Sequence, residues 1–268
     1  MNEEANTPPA PLALKKPDST WWRAVGVMRR NPRATLLPIA VTQMPFAVIT
    51  AVVFFYLFNN QYPNAEFKTL DALAKGPDGV RLTVLLLGAA QTLFGLVGAA
   101  ATIVAVDQIS KGKTPRLAES LDPAFTRMGG LFALGTAFFL MFIGTLAGVI
   151  VLLYLLLRFG LALHAYTLED RTVTGAFGRS WRLMKGRMLR FIGLLLTVPA
   201  VGLIVVIVSS IAIAILSLPF GTEPSRDAEL IIFCVSALVG GIMAVPMYAY
   251  LATVTTLFYL SATEQTGE

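Results

Sequence analysis

The chain has few of the residues that most chemistry needs. Among 268 residues there is one cysteine and one histidine, and charged side chains make up only 14%. A lone Cys234 excludes a disulfide framework and a cysteine-based metal site, and inside an apolar run it reads as a small hydrophobe. A lone His164 excludes a two-histidine metal site and reads as a structural ring. No Gly-rich phosphate loop, no His/Cys/carboxylate cluster and no Ser-His-Asp set is visible, so neither a cofactor nor catalysis is expected. An ordinary soluble domain carries about 25% charge, which this chain does not approach.

What replaces charge is hydrophobic sequence. Apolar residues make up 56% of the chain, the mean hydropathy is +0.70, and long apolar runs occupy 34–58, 82–106, 131–168, 191–218 and 230–260. Runs of this length are membrane spans. The first follows an arm that opens on Glu3 and Glu4 rather than on a basic segment with a short apolar core, so no cleaved signal peptide is expected. Residues 1–19, with Pro8, Pro9, Pro11 and Pro17, are expected to be a disordered arm, 20–262 a membrane domain and 263–268 a short tail.

Between the runs lie basic amphipathic segments. Over 20–33, Trp21, Trp22, Val25 and Met28 share one side of a helix and Arg23 and Arg30 the other, which suits a helix lying in the headgroup plane. Over 107–130, Leu117, Leu121, Phe125 and Met128 recur at helical spacing, with Pro123 expected to delay the start. Over 175–190, Phe177, Trp181, Met184 and Met188 form a stripe from which Arg179, Arg182 and Arg190 point away. The polar stretch that follows Asn59 reads as a loop, and Gly240, Gly241 and Pro246 predict a kink in the last span.

The run at 131–168 decides the topology. A crossing takes about 20 residues, so thirty-eight suffice for two with almost no turn. If it crosses twice, sixteen of the twenty-one Lys and Arg fall on one side, and only Lys68, Lys75, Arg81 and Arg226 fall on the other. If it crosses once, the split is eleven against nine and the positive-inside bias disappears. The expectation is therefore an all-α polytopic membrane helix bundle with six transmembrane helices and both termini cytoplasmic. It is read as three pseudo-repeated hairpins, each with a basic interfacial helix, joined near Asn31, Gly129 and Gly186.

The stretch 176–193, AFGRSWRLMKGRMLRFIG, resembles the "AL..S..L.KG..WR.LG.L" signature of a bacterial six-helix membrane family, matching it at Ala176, Ser180, Trp181, Leu183, Lys185, Gly186, Arg187, Arg190 and Gly193. That family includes the membrane domain attached to some glycerophosphoryl diester phosphodiesterases and stand-alone relatives of unknown function. Tyr154, Arg158 and Glu169 resemble its "Y...R" pair and the acidic residue that follows. The chain departs from the pattern at Val151-Leu152, where the family often has Pro-Gly, and at Ser261, where it has a carboxylate and Glu264 is the nearest here. The resemblance implies no catalytic residues, because the phosphodiesterase activity belongs to a separate soluble domain for which these 268 residues are expected to leave no room.

Three groups stand out as candidate sites. Arg158 interrupts an apolar run, where a mid-membrane charge costs about 2.5–3.5 kcal/mol. It reads either as a structural arginine, with Gln43, Gln91, Thr92, Thr145 and Tyr154 as candidate partners, or as a group that handles lipid or ions. Arg179, Arg182, Lys185, Arg187 and Arg190 are candidate contacts for anionic phospholipid, although the same cations also set orientation. Glu169 is a candidate ion-pair partner for Arg171, Arg179 or Arg182. The pI near 9.5 follows from these clusters without nucleic acid. Gly144 and Gly148 form a small-xxx-small pair suited to packing within the chain, to a homo-oligomer or to another envelope protein.

The expected function is that of a non-catalytic protein of the bacterial inner membrane that binds, organises or moves lipids. The rivals are a channel or transporter gated by Arg158 and an unrecognised membrane-embedded enzyme.

Overall fold

The computed structural model describes residues 20–61, 78–144, 149–220 and 225–266, and every described element is helical. Helix α1 is Thr20–Arg30 and α2 is Pro32–Tyr56, extended by one π-helical turn, Leu57–Gln61. Helix α3 is Asp78–Ser110, α4 Leu117–Thr126, α5 Met128–Gly144, α6 Val149–Phe159 and α7 Ala162–Leu168. Then follow α8 (Val173–Met184), α9 (Met188–Leu195), α10 (Thr197–Ser217) and α11 (Arg226–Thr266). The arm at 1–19, most of the polar loop after Asn59, and Gly148 of the small-residue pair lie outside the described residues.

Helices α2, α3 and α11 form the packed centre, with α10 against the outside of α11. Glycines set how closely they approach. A Cβ on Gly98 would fall 2.2 Å from Thr42 Oγ1 and 3.2 Å from the Ile39 Cα, and one on Gly241 would fall 2.6 Å from the Ala47 Cβ. Small residues at a crossing let two backbones touch where water supplies no drive to association. Gly241 is thus a contact residue, and α11 runs as one helix through Gly240, Gly241 and Pro246 for 41 residues, about 60 Å at 1.5 Å per residue. That is twice the apolar thickness of a bilayer, so the helix is long enough to project well past it.

The bundle has a basic end and an opposite end. At the opposite end, Phe54 and Phe58 of the first span cluster with Val80 of α3 and Leu230 of α11, and Arg226 Nη2 donates to the Phe58 carbonyl at 3.1 Å. At the other end, α1, the end of α3, α7, α8, α9 and the last turns of α11 build the largest core, through Ala24, Val27, Val106, Leu161, Ala176, Leu183, Phe191 and Leu257. The small face of α1 packs inward with Thr20, Ala24 and Val27, while Trp21 and Trp22 stack on each other at 4.0 Å and remain exposed.

The breaks between surface helix and span fall at Asn31, Arg127 and 185–187, close to the expected joints. Gly186 takes φ +76° there, a left-handed turn that glycine adopts without strain. Gly129 lies two residues inside α5 rather than at the break, and Pro123 sits within α4 without delaying its start at Leu117.

Among the described residues, four helical stretches are long and apolar enough to cross a membrane, Pro32–Asn60, Asp78–Ser110, Met188–Ser217 and Arg226–Thr266. The pair Leu117–Thr126 and Met128–Met141, bent by 67°, makes a fifth if it counts as one span. The 131–168 run is divided into α5, α6 and α7, of 17, 11 and 7 residues, and part of its expected turn lies at 145–148, outside the described residues. Its two ends meet nevertheless. Arg127 Nη1 donates to the carbonyls of Tyr166 and Thr167, both at 3.1 Å, and Nη2 pairs with Asp170 at 2.8 Å. The chain leaves the basic end after Arg127 and is back there by Tyr166.

Candidate functional site

The site grows from the break between α6 and α7. Helical hydrogen bonding lapses at Gly160 and Leu161, which leaves a backbone donor and acceptor inside the bundle. Ser180 of α8 serves both: its hydroxyl accepts from Leu161 N at 3.1 Å and donates to the Arg158 carbonyl at 2.9 Å. Ala176, Ser180 and Leu183, three of the residues that carry the family resemblance, are the buried face of α8. Phe177 and Trp181 flank that face and pack against Phe159, the first edge-on and the second tilted. Helix α8 starts with Thr172 as its cap, whose Oγ1 accepts from Gly175 N at 3.2 Å.

Arg158 is held on the outer side of this break. Its guanidinium carbon lies 4.4 Å from the Trp181 ring centre and 5.4 Å from that of Tyr154. Nε donates to Tyr154 Oη at 3.1 Å and Nη1 to the Trp181 carbonyl at 3.3 Å. Two aromatic faces and two acceptors offset much of the desolvation of the charge. Tyr154 is among the partners its position in the sequence suggests, and Trp181 was not foreseen.

Glu169 follows α7 and gathers three donors. Arg179 Nε reaches Oε1 at 2.9 Å, Arg171 Nε reaches Oε2 at 2.6 Å, and Tyr259 of α11 donates to Oε1. Burial alone would raise the Glu169 pKa, but the hydrogen bonds from Tyr259, Arg171 and Arg179 and the Arg179 charge outweigh it and hold the carboxyl below its ordinary value. Arg179 is only 4% exposed, so it faces inward where the helical wheel has it outward. The reason is that the buried face of α8 runs through Ala176, Ser180 and Leu183 rather than along the expected Phe177-Trp181-Met184-Met188 stripe, and Arg179 lies on that face, where Glu169 supplies its counter-charge. Asp107, Lys111, Arg182 and Thr263 line the polar basin around this cluster.

The remaining cations sit differently. Arg182, Lys185 and Arg190 are exposed, and Arg187 is half-buried with Nη1 3.3 Å from the Leu183 carbonyl. Arg187 and Arg190 face a cleft of about 210 Å³ between α1, α9 and the end of α11. Trp21, Leu194 and Phe258 give it apolar walls, and Thr20, Ser261 and Gln265 add polar groups at its rim.

A larger cavity, of about 740 Å³, opens between the spans under Gln43, Gln91, Thr92, Gly95, Leu163, His164 and Tyr248. His164 is 3% exposed, stacks on Tyr259 at 5.6 Å, and has no hydrogen-bond partner for either ring nitrogen among the described residues. A buried polar group left unpaired costs about 1–3 kcal/mol. Gln43 Nε2 donates to the Gln91 carbonyl at 3.1 Å and ties α2 to α3 beside the cavity. Sequence reasoning found His164 but not the cavity, since α2, α3 and α7 are far apart in the chain. Among the described residues no cluster of three His, Cys, Asp or Glu could hold a metal ion.

Neither the curated proteins nor the solved structures contain a match to this chain. A family model does match: residues 139–268, just under half of the chain, fit the membrane domain of glycerophosphoryl diester phosphodiesterase, the family that the 176–193 motif resembles. With its apolar helices, that match supports a multi-pass membrane protein whose C-terminal part is similar to the membrane domain of that family.

Proposed function

We propose that the protein is a non-catalytic component of the bacterial inner membrane that binds anionic phospholipid at its basic end, in the service of organising or moving lipid for envelope maintenance. The observation behind this reading is the cleft of Arg187 and Arg190, where two cations and four polar side chains sit over an apolar floor. A phosphate headgroup needs such donors, and the first carbons of its tails need such a floor. The exposed Trp21 and Trp22, a residue type that favours the membrane–water interface, support a headgroup depth for this cleft. The six-span topology with cytoplasmic termini belongs to the same proposal, supported by the Arg127 bridge that returns the 131–168 run to the basic end. Arg158, packed between Trp181 and Tyr154, is not among the residues lining the large cavity, which favours a structural role over a gating charge.

The test is retention of phosphatidylglycerol by the purified protein, read by native mass spectrometry. Each cation near an anionic surface contributes about 1 kcal/mol, so Arg187→Gln with Arg190→Gln should weaken retention by about thirtyfold. Retention unchanged in the double variant would refute the proposal.

A further inference from the structure

We propose a second binding site, separate from the basic cleft: the polar basin beside Glu169 takes the phosphate of a small, water-soluble phosphate monoester. The basin holds about 590 Å³, within the range of ligand sites. Its walls come from the ends of α3 and α7, from α8 and from the last turns of α11, and it shares no lining residue with the cleft of Arg187 and Arg190. Leu168 and Leu260 are its only aliphatic lining residues, so acyl chains find no floor here and the phosphate has to arrive on a soluble molecule.

Charge points to the ligand. Lys111, Arg171, Arg179 and Arg182 line the basin against two carboxylates, Asp107 and Glu169, and Glu264, the next acid on α11, is not among the lining residues. The surplus is two positive charges, which a phosphate monoester matches, because a second pKa of about 6 makes it a dianion above neutrality. Three of the cations are already in place: Asp107 holds Lys111 Nζ at 2.6 Å, and Glu169 holds both Arg171 and Arg179. A ligand therefore does not have to order those side chains. The donors are also within reach. Arg182 is exposed and has no ion pair among the described residues, and the Lys111 side chain is 61% exposed. Arg171 is 38% exposed and bonds Glu169 through Nε, which leaves its two Nη groups for a ligand. The planar fork of a guanidinium meets two phosphate oxygens at once.

The test is calorimetric titration of the full-length protein in phosphatidylcholine nanodiscs at pH 8. Phenyl phosphate supplies the dianion, dimethyl phosphate a monoanion of the same group, and short-chain phosphatidic acid the same phosphate on acyl chains. Phenyl phosphate should bind saturably and about tenfold more tightly than dimethyl phosphate. Arg182→Gln, at an exposed position outside the Glu169 network, should weaken phenyl phosphate about tenfold, the effect of one lost hydrogen bond between charged groups. The proposal is overturned if phenyl phosphate shows no saturable binding, if dimethyl phosphate binds as well, or if Arg182→Gln leaves the affinity unchanged. Phosphatidic acid that binds more tightly than phenyl phosphate and is weakened alike by Arg182→Gln would also overturn it, because the occupant would then be a lipid. In Arg187→Gln with Arg190→Gln, phenyl phosphate binding should persist while phosphatidylglycerol retention falls, so the two sites fail or stand separately.

Discussion

Glu169 shows how one carboxylate organises the basic end. It receives donors from its own turn, from α8 and from the last turns of α11, three segments that the chain brings together from 169, 179 and 259. Glu169→Gln would leave Arg179 buried without its counter-charge, and thermal melts in detergent should show a loss of about 1–3 kcal/mol. The pH dependence follows from the sign of the shift. The folded carboxyl titrates below the unfolded value near 4.5, so its contribution is complete above 4.5 and is lost as pH falls through the depressed folded value. Melting temperature should therefore drop more steeply below that point in the wild type than in Glu169→Gln, and parallel curves would refute the assignment. The pairing of Glu169 was legible in the sequence because Arg171 and Arg179 lie close by. The inward position of Arg179 was not, since the bulky Phe177, Trp181, Met184 and Met188 mark the more apolar stripe, whereas the face that packs inward is the small one of Ala176 and Ser180, on which Arg179 lies.

Elements meet here through single residues that relieve a local defect. Ser180 repairs the backbone between α6 and α7, and Ser180→Ala would strand the Leu161 donor and the Arg158 carbonyl. The expected loss is again about 1–3 kcal/mol, with Ser180→Thr, which keeps the hydroxyl, recovering part of it. If both variants melt alike, the hydroxyl is not what joins the helices. Gly98 acts through absence, because any side chain there meets Thr42 and the α2 backbone. Gly98→Val should separate α2 from α3 and lower stability by about 1–3 kcal/mol, measured in the same melts. Element positions were legible from apolar period and from breaks near Asn31 and Gly186. The division of 131–168 into three pieces was not, because uninterrupted hydrophobicity reads alike whether a helix continues or is repaired at Gly160 by a serine twenty residues away.

At the scale of the molecule, the central question is how many times the chain passes the bilayer, and charge and geometry bear on it from independent sides. The cations of 20–33, 107–130 and 171–190 favour one face of the membrane because translocating them is costly. Independently, Arg127 binds the end of α7, and Tyr259 of α11 binds Glu169, so the same segments converge at one end of the bundle. Ser225 and Arg226 lie at the other end, near Phe58. With Cys234 replaced by Ala, single cysteines at Lys113, Arg182 and Gln265 should react with an impermeant maleimide only after the membrane is opened, whereas Ser225→Cys should react in intact cells. All four positions are exposed, so failure to react reports sidedness rather than burial. Reaction of Arg182→Cys in intact cells while Lys113→Cys stays protected would mean that the 131–168 run passes an odd number of times. The Arg127 bridge could not then form, and the basic cleft would face the wrong leaflet for its lipid.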